Sequence, residues 1–455
     1  MSDTAPPRPQ HQAKLVTGSI PGHLLGQTLP MIVGGAAMMS IGLVDAYFIG
    51  QIGSNALAAI SFIFPITVAI TSLGIGVLVG INSVVARALG EGDHVKAARR
   101  ANLGIVFAVV CGIIMGLTLF AALEPLFTLM NADEKLLPLI QTYMRPFALG
   151  FPLMLAIMGL NGVLRAQGEA RKTSYISITY AAVNWILDPI LITGAFGFEG
   201  LGIVGAAYAT LTGWAVGVAL AVFLISRTAI PINPALMFKG QILEPLTAIL
   251  KVGIPASCSN AINPMGLSVL TGVIALQGDA AVAGFGAAGR VQSFALVPLL
   301  SLSGAIGAIV GQNWGAKEFG RAREAALYAG GFCIAWGLSI AIAMVLSAHW
   351  LAVMFTNDPE VIAEFELYVK IAAWGYAGFG LLIVGNGILN AVDHASFALV
   401  QSLLRVFAVM LPFALLLNAS WGSTAVYAAE LTANLFGAVS AIVLIRYVLV
   451  TRAAA

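Results

Sequence analysis

Twelve long apolar runs constrain this chain more than any other feature of its sequence. Bounded by polar or charged loops, they fall near 24–50, 56–82, 101–123, 138–162, 173–195 and 200–226. A second set follows near 246–275, 280–309, 326–348, 363–389, 397–418 and 422–448. About 20 apolar residues in a helix cross the hydrocarbon core of a bilayer. Backbone groups left unpaired in lipid are too unfavourable for an open sheet, and the runs are too long for the alternating strands of a barrel. Charged residues make up 9% of the chain, against about 25% in a soluble domain. The expected fold is an all-α integral membrane protein with twelve transmembrane helices.

Lysine and arginine in short loops set orientation. One side collects Arg87, Lys96, Arg99 and Arg100, then Arg165, Arg171 and Lys172, then Arg227, Lys239 and Lys251, and later Lys317, Arg321 and Arg323. The other side has Lys135, Arg145 and Lys370 among acids such as Glu124 and Asp358. Both termini are therefore expected in the cytoplasm, in a cytoplasmic (inner) membrane. Residues 1–23 lack the apolar core of a signal peptide and read as a disordered tail, with the first helix serving as insertion signal. The three cysteines and five histidines show no disulfide or metal spacing. A net charge of +2 gives no reason to expect a nucleic-acid partner.

A shift of 225 positions aligns the two halves without a gap over long stretches. It pairs Leu29-Pro30 with Ile254-Pro255, Gly53 with Gly278, Gly90 with Gly315, and the segment 162–165 with 387–390. The expected organisation is a tail (1–23), an N-lobe of six helices (24–226), a basic linker (227–245), a C-lobe of six helices (246–448) and a tail (449–455). Six helices return the chain to the same side. The lobes are thus parallel, related by a pseudo-two-fold axis along the membrane normal, with a substrate cavity expected between them.

Asp45 is the sole formal charge in the first run, and a carboxylate at membrane depth costs at least about 2.5–3.5 kcal/mol. The plain alternative is an acid wetted near the outer helix end. In the fifth run Asn184 and Asp188 stand four apart, on one helix face, and Pro189 removes the next backbone donor. Thr210 in the sixth run lies at similar depth. The C-lobe positions equivalent to Asp45, Asn184, Asp188 and Thr210 are Leu270, Val409, Phe413 and Leu435. The polar set belongs to one lobe, which a purely structural role would not require. Two neighbouring acids can share a proton and titrate as a pair. The same oxygens suit Na⁺, a hard cation, and the residues alone do not separate the two.

Weaker signals carry plainer readings beside them. GFGAAG at 284–289 opens a membrane helix with no strand before it, so helix packing explains it better than a dinucleotide site. Arg290, Arg405 and Glu430 can line a substrate path, or else snorkel or pair within a lobe. Met38, with Met31 and Met39, and Phe62 with Phe64, are either ordinary packing or a pliable cavity lining. The candidate cavity set is Met38, Phe62, Arg290 and Glu430. No cofactor is expected beyond the coupling ion, and no metal site beyond Na⁺ at the N-lobe set.

With VDAYFIG at 44–50, RALGEG at 87–92, LRAQGEA at 164–170, GLGIVGAAYAT at 200–210 and GQNWGA at 311–316, the chain resembles the multidrug and toxic compound extrusion (MATE) family. The resemblance covers essentially all twelve runs. It implies a V-shaped two-lobe antiporter, not an enzyme, that expels amphipathic, often cationic compounds in exchange for H⁺ or Na⁺. It also implies a cation site at Asp45, Asn184, Asp188 and Thr210, as in the DinF-like prokaryotic branch. The NorM-like branch carries an acid eight residues after the proline of helix seven, where this chain has Asn263; proton coupling through the N-lobe is the expectation. The expected partners are amphipathic small molecules and the bilayer, with a monomer sufficient for function. Two alternatives remain. A flippase for lipid-linked or anionic metabolites needs an arginine-rich cavity, for which the sequence offers Arg290 and Arg405. An intramembrane aspartyl enzyme has no further motif behind it.

Overall fold

The computed structural model describes residues 13–130, 135–237 and 242–451. Parts of the expected tails and linker (1–12, 238–241 and 452–455) lie outside the described residues. The N-lobe contains α1 (Ile20–Ile52), α2 (Ser54–Gly90), α3 (His94–Leu129) and α4, which is bent by 46° between Leu137–Leu149 and Phe151–Ala166. It closes with α5 (Ala170–Asp188, widening into a π-turn at Pro189–Thr193) and α6 (Ile203–Ile225). The C-lobe repeats the plan. It has α7 (Leu243–Ile274), α8 (Asp279–Ala295 and Val297–Gly315, bent by 43°), α9 (Phe319–Val353) and α10 (Pro359–Ala372 and Tyr376–Ala391). It ends with α11 (Ala395–Leu403 and Leu411–Trp421 around a π-segment at Leu404–Met410) and α12 (Ser423–Thr451).

Each lobe packs around an apolar core, with Leu15, Ile20 and Leu24 joining that of the C-lobe and Ile249 that of the N-lobe. Association in lipid gains little from the hydrophobic effect, so small residues that bring backbones close are favoured at helix contacts. On α3, Gly112 lies against Phe151 and Pro152 of α4; on α9, Gly337 lies against Ala377 of α10. These are the same contact at the 225-residue offset. The outer faces of the same two helices expose Ile113 and Leu117, and Leu338 and Ile342, as a lipid-facing surface requires. The offset even fixes backbone shape. Gly92 (φ 76°) and Gly168 (φ 73°) correspond to Lys317 (φ 62°) and Asp393 (φ 67°), which hold the left-handed conformation without being glycine.

The lobes meet along α1, α2 and the first half of α7, with the second half of α8. The crossings lie toward the end of the bundle that carries both described chain ends and the Lys/Arg-rich loops, here termed the basic face. Gly76 and Gly80 of α2 lie against Gly253, Ser257 and Ile249 of α7. Next to the pseudo-two-fold axis, Gly90 abuts the Gln312 carbonyl and Gly315 abuts the Arg87 carbonyl, a reciprocal pair. Side chains reinforce the seam: Ser83 Oγ donates to Asn390 O (2.6 Å), Arg87 Nη1 to Ala391 O (3.0 Å), and Arg100 pairs with Glu244.

Residues 13–19 depart from the expected disordered tail. They form a strap across the seam, and α1 begins at Ile20. Leu15 is fully buried; its N–H donates to Gln312 Oε1 (2.9 Å) and its carbonyl accepts from Asn313 Nδ2 (3.1 Å). Gln312 Nε2 in turn donates to Ala166 O of the N-lobe (2.6 Å). One apolar side chain with its backbone groups satisfied suffices to order a polar segment. Leu15→Ala is expected to destabilise the joined basic face by about 2–5 kcal/mol, read as a lower midpoint of thermal unfolding in detergent.

Candidate functional site

Asp45 lies on α1 about two turns before its end. Asp188 is the last residue of the regular part of α5. Pro189 lacks the N–H that would continue the α-helical ladder, and the chain widens into the π-turn there. Such turns recur at functional sites. The two carboxyl groups come within hydrogen-bonding range of each other. Asp188 is fully buried and Asp45 half-buried, so the pair is the more accessible on the Asp45 side. Among the described residues, no other group donates to either Asp188 oxygen or to Oδ1 of Asp45. A hydrogen bond between two carboxyls requires a proton on one of them. Two carboxyls so placed can share one proton between the two helices.

Asn184 and Thr210 sit one turn away. Thr210 Oγ1 donates to Asn184 Oδ1 (3.4 Å), and Asn184 Nδ2 donates to Tyr180 O (3.1 Å). All four sequence-selected residues are thus in the N-lobe interior, as an acid pair beside an amide–hydroxyl pair. Three aromatic residues not selected from sequence complete the setting. Tyr143 of α4 and Tyr180 of α5 stand in the field of both acids, and Tyr180 hydrogen-bonds with Trp214 of α6. The sequence held a weak signal for each tyrosine and none for Trp214: Tyr180 precedes Asn184 and Asp188 at four-residue steps, and Tyr143 recurs as Tyr368 at the 225 offset. Gly213 makes room for the group, since a Cβ there would lie 2.6 Å from Asn184 Nδ2. Gly213→Ala is expected to cost about 1–3 kcal/mol by overpacking and to lower coupled transport, checked by melting and by gradient-driven flux.

The C-lobe places its polarity elsewhere. Glu430 accepts from Gln292 Nε2 (2.7 Å) and Tyr368 OH (2.9 Å). Arg405, on the π-segment of α11, donates to Asn263 Oδ1 (2.8 Å) and Asn434 Oδ1 (2.7 Å). A cavity of about 480 Å³ opens at the seam between this lobe and α2 and α4. Met38, Phe62, Arg290 and Glu430, the cavity candidates from sequence, are not among its lining residues. Phe62 packs on the N-lobe core, Met38 and Arg290 are exposed elsewhere, and Glu430 is buried behind Arg405. Arg165, read from sequence as a loop charge, instead lines the cavity from the last turn of α4. Gly304 of α8 leaves the space for its guanidinium, 2.9 Å from where a Cβ would stand. Among the described residues, no group of three or more His, Cys, Asp or Glu side chains is placed to hold a metal ion.

The MatE family model matches twice, at residues 30–190 and 255–416, so its two copies begin one repeat offset apart. A FAD transporter of Shewanella oneidensis is 33% identical over 88% of this chain and 89% of its own length. The multidrug export protein MepA of Staphylococcus aureus is 26% identical, over 92% of each chain. Among solved structures, a mutant of the Vibrio cholerae MATE transporter VcmN superposes with a TM-score of 0.90 at 28% identity, covering 94% of this chain and 97% of that one. The outward-facing conformation of a multidrug resistance MATE transporter superposes at 0.91 and 23% identity, a likeness of fold. Two six-helix lobes at a fixed offset, twice matched by one family model, make this chain a multi-pass membrane transporter of the MATE family.

Proposed function

We propose that the protein is a proton-coupled antiporter that exports amphipathic small molecules by alternating access. In this reading it sits in the inner membrane with the basic face and both termini in the cytoplasm. The observation that supports the reading is the contact between the Asp45 and Asp188 carboxyls. A ligand shifts a conformational equilibrium only by its differential affinity for the two states. A proton satisfies this condition here. It stabilises the arrangement in which α1 and α5 bring the two acids together, and its loss leaves two like charges in contact, which drives the helices apart. Entry past half-buried Asp45 from the face opposite the basic one would couple the inward proton gradient to α1. The expectation of a cationic cargo finds no carboxylate in the cavity lining, so the cargo here is defined by amphipathic character alone.

The test is uptake of a cationic dye (ethidium) and an anionic one (carboxyfluorescein) into inside-out vesicles. A pH gradient without Na⁺ is expected to drive uptake of at least one dye. Uptake driven by a Na⁺ gradient alone would assign Na⁺ to the acid pair, with Asn184 and Thr210 as further oxygen ligands. Uptake under neither gradient would contradict export of this kind.

A further inference from the structure

We propose that the seam cavity seats an amphipathic organic anion, held between one arginine from each lobe: Arg165 of the N-lobe and Arg405 of the C-lobe. The inference rests on the export reading and names the charge of its cargo. Both arginines line the same space of about 480 Å³, a volume typical of sites for drug-sized ligands. Among the described residues, no aspartate or glutamate lines it.

The two arginines are differently prepared. Arg405 is 3% exposed and locked in place by Asn263 and Asn434, with its guanidinium 5.2 Å from the centre of the Phe379 ring. Glu430 lies behind it, satisfied by Gln292 and Tyr368, and offsets one positive charge. Nothing offsets the other. Arg165 forms no ion pair or hydrogen bond among the described residues, and its Nε, like that of Arg405, is buried without an acceptor. Buried donors of this kind are normally paired, and a guanidinium carries five N–H groups matched to carboxylate or phosphate oxygens. Ser259, Ser402 and Asn386, hydrogen-bonded to one another, supply further polar lining, while Ile262, Leu300 and Leu382 receive an apolar body. A cation in this position would face uncompensated positive charge.

The placement also links the cargo to the transport cycle. An anion bridging the two guanidiniums binds best in the one arrangement of the lobes that presents both. Rotation of the lobes withdraws one arginine and weakens the hold. Release thus follows from the motion itself, at a site separate from the proton pair.

The experiment uses purified full-length protein in detergent and three ligands sharing one ring: 1-naphthyl phosphate, 1-naphthoate and (1-naphthylmethyl)trimethylammonium. Binding is measured by calorimetry without any gradient. One or both anions are expected to bind more tightly than the cation. Arg165→Gln is expected to weaken anion binding about 10–100-fold, the range for losing charge-assisted hydrogen bonds, while Arg165→Lys retains part of it. Short-chain phosphatidic acid provides a fourth arm; its competition with the naphthyl anions would identify a lipid headgroup as the source of the same chemistry. Because binding is read without any gradient, absence of gradient-driven flux in vesicles leaves this result intact. Equal or tighter binding of the cation, or anion binding unchanged in a folded Arg165→Gln protein, would overturn the proposal.

Discussion

Asp188→Asn is expected to remove proton-driven export while leaving a folded protein that still binds cargo. The asparagine keeps the volume and one hydrogen-bond acceptor but cannot take up or release a proton. Its neighbour Asp45 then faces an amide donor instead of a second acid, and the α1–α5 contact is held at every pH. A pair that cannot release its proton has nothing to exchange for cargo, so gradient-driven flux should fall to the level of vesicles without the protein. Asp45→Asn is expected to act in the same direction. In the proposed mechanism the two share one proton, so the double variant should lose little more than either single one, the non-additivity expected of groups acting as a unit. Flux in vesicles under a pH gradient checks all three. Additive losses would show two independent sites.

Gly90→Val and Gly315→Val are expected to abolish export by a different route, through the seam. A Cβ on Gly90 overlaps the Gln312 carbonyl, and one on Gly315 overlaps the Arg87 carbonyl. Backbone cannot step aside as a flexible side chain does, so the lobes must part at the basic face. Partly exposed ion pairs such as Arg100–Glu244 contribute about 0–1 kcal/mol, and removing one leaves the seam closed. An overpacking penalty of about 3 kcal/mol instead moves a two-state equilibrium by more than about 100-fold. The reporter is a cysteine at Ser83, buried at the seam, in a protein whose Cys111, Cys258 and Cys333 have been replaced. An impermeant maleimide applied from the basic face should leave it unlabelled in the parent protein and label it in either valine variant. The reciprocal contacts require the two variants to match. Labelling in one alone would break the two-fold relation.

Much of this architecture was legible in the sequence, because a bilayer imposes run length and a duplication imposes an offset. The same offset that aligned Gly90 with Gly315 places them across the axis in space, and it pairs the left-handed positions 92 with 317 and 168 with 393. The acid pair was legible for a related reason: a charge inside an apolar run stands out by composition. Tyr143, Tyr180 and Trp214 did not stand out, since an aromatic ring in such a run is ordinary packing until the fold shows what it faces. Arg165 was misplaced because a basic residue at a helix end satisfies the orientation rule whichever way its side chain points. Its turn toward Gly304 depends on a contact between lobes that periodicity within one helix does not encode. Leu15 escaped for lack of neighbours, a single apolar residue within a polar segment.

In the proposed mechanism Asp45 and Asp188 hold one exchangeable proton between α1 and α5. Infrared difference spectroscopy of the reconstituted protein reads it most directly. The prediction is a carboxylic-acid band that titrates with pH in the wild type and is absent from both Asp45→Asn and Asp188→Asn. The same band in wild type and in both variants, with the same titration, would rule out a proton shared by this pair.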